Sequence, residues 1–472
     1  MVDVKTDLCV IGAGSGGLSV AAGAVQMGAR VVLLEGHKMG GDCLNHGCVP
    51  SKALIAAARH AHAMQSGRPF GISPARPDVD YAAVKDHVAE VIAQIAPHDS
   101  VERFEGLGVR VIPEYGHFIS ADVVQAGNMQ IRARRFVIAT GSSPLVPSLP
   151  GLGDVPYETN ETIFDLREQP GHLLVIGGGP IGMEMAQAHR RLGSRVTVIE
   201  GMKALGRDDP ELAAIVLERM RGEGISIEEG ITAVRVRGKA GRIEIKAKDG
   251  RVLRGTHLLI ATGRRPNVER LNLGAAGIRH DRDGIAVRAD LRTSNRRVYA
   301  IGDVTRGLRF THVAGYHAGV VIRSALFGLP AKAKTGHIPW VTYTDPELAQ
   351  VGLTEEQART VHGARLEILR FGYDGNDRAI AERRAEGLIK VMVVKGRPVG
   401  VSIVGAQAGE TIGLWAMAIA NRLKMGAVAA TVMPYPTLGE ISKRAAGAYF
   451  SPRLFDNIWV KRFVGFVQRR LP

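Results

Sequence analysis

Cysteine is scarce in this chain, three among 472 residues, and two of the three stand close together. Cys9 lies in the apolar run Leu8-Cys9-Val10-Ile11 and reads as a small buried hydrophobe. That leaves Cys43 and Cys48 to carry any thiol chemistry. Long apolar runs are missing as well. The longest, residues 412–420, is closed by Asn421 and Arg422, well short of the roughly 20 residues of a spanning helix. The opening Met1-Val2-Asp3-Val4-Lys5 leads straight into a strand pattern and lacks the basic-then-apolar order of a signal peptide. A cytoplasmic location is therefore expected, and in that reducing compartment a cysteine pair is catalytic sooner than structural. Acids are in the minority, 46 against 61 Lys and Arg, for a net charge of +15. Such a balance raises nucleic acid, anionic membrane or acidic substrates as partners. Zinc-finger spacing and a basic, aromatic run of the RNP type are absent and the arginines are scattered, so nucleic acid is not expected.

What the chain does contain is one pattern written twice, in a length with room for about three domains. Val10-Ile11-Gly12-Ala13-Gly14-Ser15-Gly16-Gly17, an alanine-rich helix and Arg30-Val31-Val32-Leu33-Leu34-Glu35 make a strand, turn, helix, strand unit. Gly12 permits the tight turn, Gly14 lets backbone approach a pyrophosphate at the helix N-terminus, and Gly17 allows helix to pack on sheet. Glu35 ends the second strand, where a carboxylate can bind ribose hydroxyls. The second unit places Gly177, Gly179 and Gly182 after Leu173-Leu174-Val175-Ile176, and Glu200 after Arg195-Val196-Thr197-Val198-Ile199. Two such units argue for two dinucleotides. Glu200 would repel a 2′-phosphate, so NADH is preferred, with Lys203 and Arg207 leaving NADPH as the alternative.

Between the units, Gly40-Gly41-Asp42-Cys43-Leu44-Asn45-His46-Gly47-Cys48-Val49-Pro50-Ser51-Lys52 precedes a run without a helix breaker until Gly67. This predicts a cysteine pair at the first turn of a helix, where partial positive charge favours a thiolate. Positions five apart lie roughly 140° from each other on an ideal helix, so pairing requires a distorted turn. Gly47 and Pro50 supply the means.

The stretch resembles the signature of the flavoprotein disulfide reductases, the family of lipoamide dehydrogenase, glutathione reductase and mercuric reductase, and the resemblance runs to about Tyr449. It implies an α/β chain with two Rossmann-like dinucleotide-binding domains plus a C-terminal α+β dimerisation domain. The expected boundaries are 1–150 for FAD, 151–267 for NAD(P), 268–335 returning to the FAD domain, 336–449 for dimerisation, and 450–472 as a basic amphipathic tail. By motif position, hydride passes from NADH to FAD and onward to a Cys43–Cys48 disulfide, with Cys48 against the flavin and Cys43 exposed to substrate. Lys52 reaches the flavin and pairs with Glu184. Gly116, Thr140, Gly141 and Asp303 contact FAD, and Gly263 closes the nicotinamide domain.

The departure from the family is Tyr435 in Pro434-Tyr435-Pro436-Thr437-Leu438-Gly439-Glu440. Relatives acting on thiols carry there a histidine, oriented by the glutamate, that completes the partner subunit's site. A tyrosine near pKa 10 is a poor base at neutral pH. Mercuric reductase resembles this chain in having tyrosine, yet its C-terminal cysteine pair is missing here. His46 reads as a spacer sooner than a proton relay, and Asp42 disfavours a thiolate at Cys43. The first reading is thus an NADH-dependent disulfide or dithiol oxidoreductase working as a homodimer. The alternatives are a metal-ion or quinone reductase and, in another class, a redox-responsive binding protein. In the tail, Phe455, Trp459, Phe463 and Phe466 share one side of a helix with Lys461, Arg462 and Arg469 opposite. That pattern suits packing on the protein itself or peripheral contact with an anionic membrane.

Overall fold

A computed structural model describes residues 2–471. The chain divides into two compact units: residues up to Gly201 with Gly230–Thr335, and Met202–Glu229 with the residues from Gly336 onward.

The first unit starts with the strand Val2–Ile11, whose alternate residues enter separate cores. Cys9 and Ile11 join Val32, Leu34, Phe136 and Ile138, while Leu8 and Val10 join Val31, Leu33, Val137 and Tyr299. The unbroken apolar run Leu8-Cys9-Val10-Ile11 at the strand's end is what a parallel sheet covered on both faces requires. Val31–Leu34 and Met129–Ile138 flank the first strand in parallel, and Arg110–Ile112 extends the sheet beyond Val31–Leu34. Val298–Ala300 returns from far along the chain to pair in parallel with residues 136–138. In the same unit His172–Ile176 lies between the parallel strands Arg195–Glu200 and His257–Ile260. Three antiparallel strands, Ala233–Lys239, Arg242–Ala247 and Val252–Gly255, contribute Val236, Ile243 and Ile245 to the core over Leu174 and Ile260.

The second unit is built on an antiparallel sheet in the order Pro339–Thr342, Glu347–Gly352, Arg397–Gly405, Leu388–Val394, Leu366–Gly372. Helices Ala408–Ala420 and Glu440–Ala448 share its core, where the buried Trp415 donates its indole N–H to Ser442 Oγ at 3.0 Å. Lys390, almost wholly buried, is held by Asp209 at 2.8 Å, Glu211 at 2.6 Å and Glu355 at 2.9 Å, as a buried ammonium must be. Among the described residues no helix is long and apolar enough to cross a membrane.

The structure corrects two helix readings. The cysteine stretch is not the first turn of one helix. Gly41–Asn45 is a short helix of its own, and a second runs over Cys48–Gln65 after a break at His46 and Gly47. A Cβ on Gly47 would stand 2.9 Å from Asp42 Oδ2 and 3.3 Å from Cys43 Cα, so the glycine is what lets the chain fold back. The tail also breaks, into Ser451–Phe455 and Ile458–Arg470, because the Asn457 side chain accepts from the N–H groups of Trp459 and Val460 and starts a new helix. Phe455 therefore belongs to a different helix from Trp459, Phe463 and Phe466.

Candidate active site

The two glycine turns are built alike. Gly12 (φ +103°) and Gly177 (φ +113°) both adopt the left-handed region. A Cβ there would meet the carbonyl oxygens of Ala139 at 2.6 Å and Ala261 at 2.3 Å. Helices Ser15–Gln26 and Pro180–Arg191 follow, and neither Gly14 nor Gly179 at their N-caps has a side chain to satisfy the first N–H groups. Gly17 and Gly182 approach the carbonyls of Gly12 and Gly177 so closely that a Cβ would stand at 1.9 and 2.0 Å. Glu35 accepts from Ala13 N and Glu200 from Gly178 N, both at 2.7 Å. Each turn thus offers unfilled N–H donors beside a fixed carboxylate, a cradle whose chemistry fits a dinucleotide pyrophosphate and ribose.

After the first unit's second strand, Gly40 bridges back to Gly14, its N–H donating to Ala13 O at 3.0 Å, and this sets the cysteines beside that cradle. Cys43 is half-buried and Cys48 exposed. The two free thiols interact with each other and share their charge unequally. Cys48 is drawn down to about 6, first by the Cys43 hydrogen bond, then by the Thr311 hydroxyl and the Lys52 charge, against the effect of burial. Thr311 Oγ1 stands 3.3 Å from its sulfur. Cys43 is pushed far up, first by its bond to Cys48 and then by burial, with Thr311 and Ser15 opposing. The position of Cys48 at the start of the helix Cys48–Gln65 adds to the bias toward a thiolate there. Cys9, fully buried, is held as a neutral thiol by desolvation.

Lys52 lies one turn beyond Cys48, and its Nζ meets Glu184 Oε2 at 2.9 Å. Asp42 is engaged by Arg264 Nη2 at 3.2 Å and by the Asn160 amide at 3.0 Å, and Asn160 also donates to the carbonyl of His46. The charge opposing a nearby thiolate is thereby partly balanced. His46 is shifted down, chiefly by burial and then by Lys38, so its ring is neutral at pH 7.

The remaining residues singled out by sequence gather around the same unit. Thr140 Oγ1 donates to Asn267 O at 2.7 Å, and the Asn267 amide donates back to Thr140 O. Gly141 (φ +67°) and Gly263 (φ +128°) turn the chain into the paired strands Ser142–Pro144 and Arg264–Pro266. Asp303 accepts from Ser142 Oγ at 2.7 Å and lies 3.8 Å from Arg264 Nε. Burial raises its pKa while Ser142 and Arg264 oppose. A Cβ on Gly116 would reach Leu34 Cδ1 at 2.5 Å, so a larger residue here would have to displace that side chain. Sequence reasoning missed Ser15, Ser142, Asn160, Arg264 and Thr311. Only Arg264 carried a signal, as the residue following the second Ala-Thr-Gly turn.

Tyr435 and Glu440 belong to the second unit. The Tyr435 hydroxyl donates to Asp377 Oδ2 at 2.7 Å, and that bond, ahead of all other influences, raises its pKa. Glu440 opens the helix Glu440–Ala448.

Residues 6–318 match the pyridine nucleotide-disulphide oxidoreductase family, and residues 338–446 match that family's dimerisation domain. The chain is 34% identical over 447 residues to the mercuric reductase of Lysinibacillus sphaericus, covering 93% of this chain and 82% of that one. It is 32% identical over 456 residues to the dihydrolipoyl dehydrogenase of Geobacillus stearothermophilus, covering 94% and 96%. Among solved structures it resembles the Cu(II) complex of the HOCl-induced flavoprotein disulfide reductase RclA from Escherichia coli, with a TM-score of 0.83 at 27% identity over 93% of this chain and 99% of that one. The family uses FAD and NAD(P)H, and the dimerisation domain implies a homodimer. Paired dinucleotide cradles, a cysteine couple set against the first of them and the extent of these matches lead to one conclusion: the chain belongs to the pyridine nucleotide-disulphide oxidoreductases, as a flavoprotein enzyme with Cys43–Cys48 as its redox-active pair.

Proposed function

We propose that the enzyme carries electron pairs from NADH to Cys43 and Cys48 and from them to a soft metal cation. FAD, held between the Gly12–Gly17 turn, Glu35 and Asp303, would supply the exchange of a hydride for an electron pair. Gly177, Gly179, Gly182 and Glu200 hold the nicotinamide nucleotide, and Glu200 disfavours a 2′-phosphate. Lys52, fixed by Glu184, adds positive charge beside Cys48 to the larger effects of Cys43 and Thr311 that favour its thiolate.

The observation that carries the choice of acceptor is the bond from Tyr435 to Asp377. Reducing a disulfide forms two thiols and consumes protons that an acid–base group must move. A phenol that donates a hydrogen bond to a carboxylate, with its pKa raised, keeps its proton at neutral pH and cannot act as the base. Two thiolates reduce a divalent soft metal with no proton transfer in the redox step: the sulfurs join as a disulfide, and the two electrons leave with one Hg(II) or, singly, with two Cu(II) ions. Cys43 loses its proton earlier, on binding the metal, because the thiolate is the ligand. The resemblance to a mercuric reductase and to RclA in its Cu(II) complex supports this reading. A dithiol substrate is the second reading, favoured by the likeness to dihydrolipoyl dehydrogenase.

Anaerobic NADH oxidation measured with a thiol-complexed Hg(II) or Cu(II) salt, lipoamide, glutathione disulfide and a quinone tests the proposal. Lipoamide should turn over roughly a hundredfold more slowly than the metal, within the usual worth of a missing general base. Tyr435→His should raise lipoamide turnover and leave metal reduction unchanged. Fast lipoamide turnover that falls in Tyr435→His would establish the dithiol reading instead, and no turnover with any acceptor would favour the redox-responsive binding protein.

A further inference from the structure

The residues beyond the dimerisation match form a helix that touches little of its own chain. Ile458–Arg470 has no buried residue, and Trp459, Phe463 and Phe466 are 72%, 66% and 52% exposed. At 100° per residue, Phe466, Trp459, Phe463, Val467, Val460 and Val464 occupy an arc of about 160°. Lys461 and Arg469 lie opposite, Gln468 and Arg462 flank the two margins, and Arg470 falls within the arc between Trp459 and Phe463. The break at Asp456 and Asn457 keeps the tail's one acid out of this helix. Four cations, Lys461, Arg462, Arg469 and Arg470, and no acid remain between Asn457 and Leu471. Arg462 lies over the Trp459 ring at 5.3 Å and Arg470 over Phe466 at 5.4 Å. Arg462 thus holds its charge beside the arc, and Arg470, which starts within it, turns its charged end toward Phe466 at the arc's edge, its stem running over apolar surface.

We propose that this helix is a membrane-interface anchor that lies flat on anionic lipid, with Trp459, Phe463 and Phe466 inserted among the acyl chains and the cations at headgroup phosphates. Charge decides between occupants. A second copy of this helix would bring eight cations together with no acid between them, whereas an anionic bilayer supplies the counter-charge. At 13 residues the helix is too short to span a bilayer, and a broad apolar arc with a strongly basic remainder is the pattern of interfacial binding. One such helix binds weakly. A homodimer carries two, and joint engagement strengthens the attachment.

The test uses the intact flavoprotein with vesicles of pure phosphatidylcholine and of phosphatidylcholine with phosphatidylglycerol. The expected result is flotation with the anionic vesicles alone, reversed by salt, with a blue shift of tryptophan emission that comes from Trp459; Trp340 and Trp415 lie outside the tail and supply the background that remains when Trp459 is replaced. Lys461→Gln with Arg469→Gln should weaken binding about thirtyfold, since each cation near an anionic surface is worth about fivefold. Trp459→Ser with Phe463→Ser should abolish the blue shift. Deletion beyond Phe450 should abolish flotation while the chain still elutes as a yellow homodimer. The proposal is overturned if the wild type ignores anionic vesicles, if the deletion leaves flotation unchanged, or if the truncated chain loses its dimer; basic substitutions that weaken binding to duplex DNA instead would assign the helix to nucleic acid.

Discussion

The two glycine turns are near copies in shape and differ in what the chain attaches to them. Both place a glycine where a Cβ would strike a carbonyl about 2 Å away, and both end in a carboxylate bound to the turn's own N–H at 2.7 Å. After the first, the chain returns through Gly40 and sets down two cysteines; the second begins its helix with Pro180 and carries Glu184 toward Lys52. The copies teach that the turn itself decides only that a dinucleotide binds. The segment that follows decides whether electrons stop there or continue.

The largest expected effect comes from crowding the two turns separately. Gly17→Ala should yield protein without bound flavin. Gly182→Ala should remain yellow with the KM for NADH raised on the order of a hundredfold, the scale of a misplacement of about an ångström. Flavin lost from both would mean that the turns do not act independently. Next, Lys52→Met removes the ammonium beside Glu184, whose side chain is 7% exposed. Urea denaturation should show a loss of about 2 kcal/mol, below that of a fully buried pair because Lys52 is itself partly exposed. Thr311→Val, which acts only on the cysteine side of the comparison, should raise the Cys48 pKa by about one unit, the worth of one hydrogen bond to a charged group. Iodoacetamide alkylation of the reduced enzyme against pH would read the shift. The smallest effect is expected at Glu200→Ala, improving NADPH relative to NADH by about fivefold, a repulsion of roughly 1 kcal/mol lifted. Flavin content should stay constant, whereas Glu35→Ala should lower it.

Both turns were legible from sequence because glycine spacing, flanking apolar strands and a terminal acid are local features. The cysteine couple was legible for the same reason, although its helix break was not. Gly47 marks the break only once Asp42 and Cys43 are seen folding back against it. Ser15 and Thr311 escaped notice because each reaches Cys43 or Cys48 through the fold, Thr311 from 263 positions along the chain. The same holds for Arg264 and Asn160, which offset Asp42, a charge whose effect sequence alone left undecided. Asp377 stands 58 positions from Tyr435, and no pattern links them. Long-range polar pairs leave no periodicity behind, while packing faces and tight turns do.

The central claim is that Cys48 is the ionised sulfur and Cys43 the protonated one. Anaerobic titration with NADH, followed by absorbance as the pH is lowered, tests it most directly. A long-wavelength band from a thiolate against the flavin should grow on two-electron reduction, persist down to about pH 6 and fade below it, because a lowered thiol pKa keeps the anion until that point. Cys48→Ser should lack the band, and Cys43→Ser should show it before any reductant is added. A band that survives Cys48→Ser and vanishes in Cys43→Ser would contradict the account.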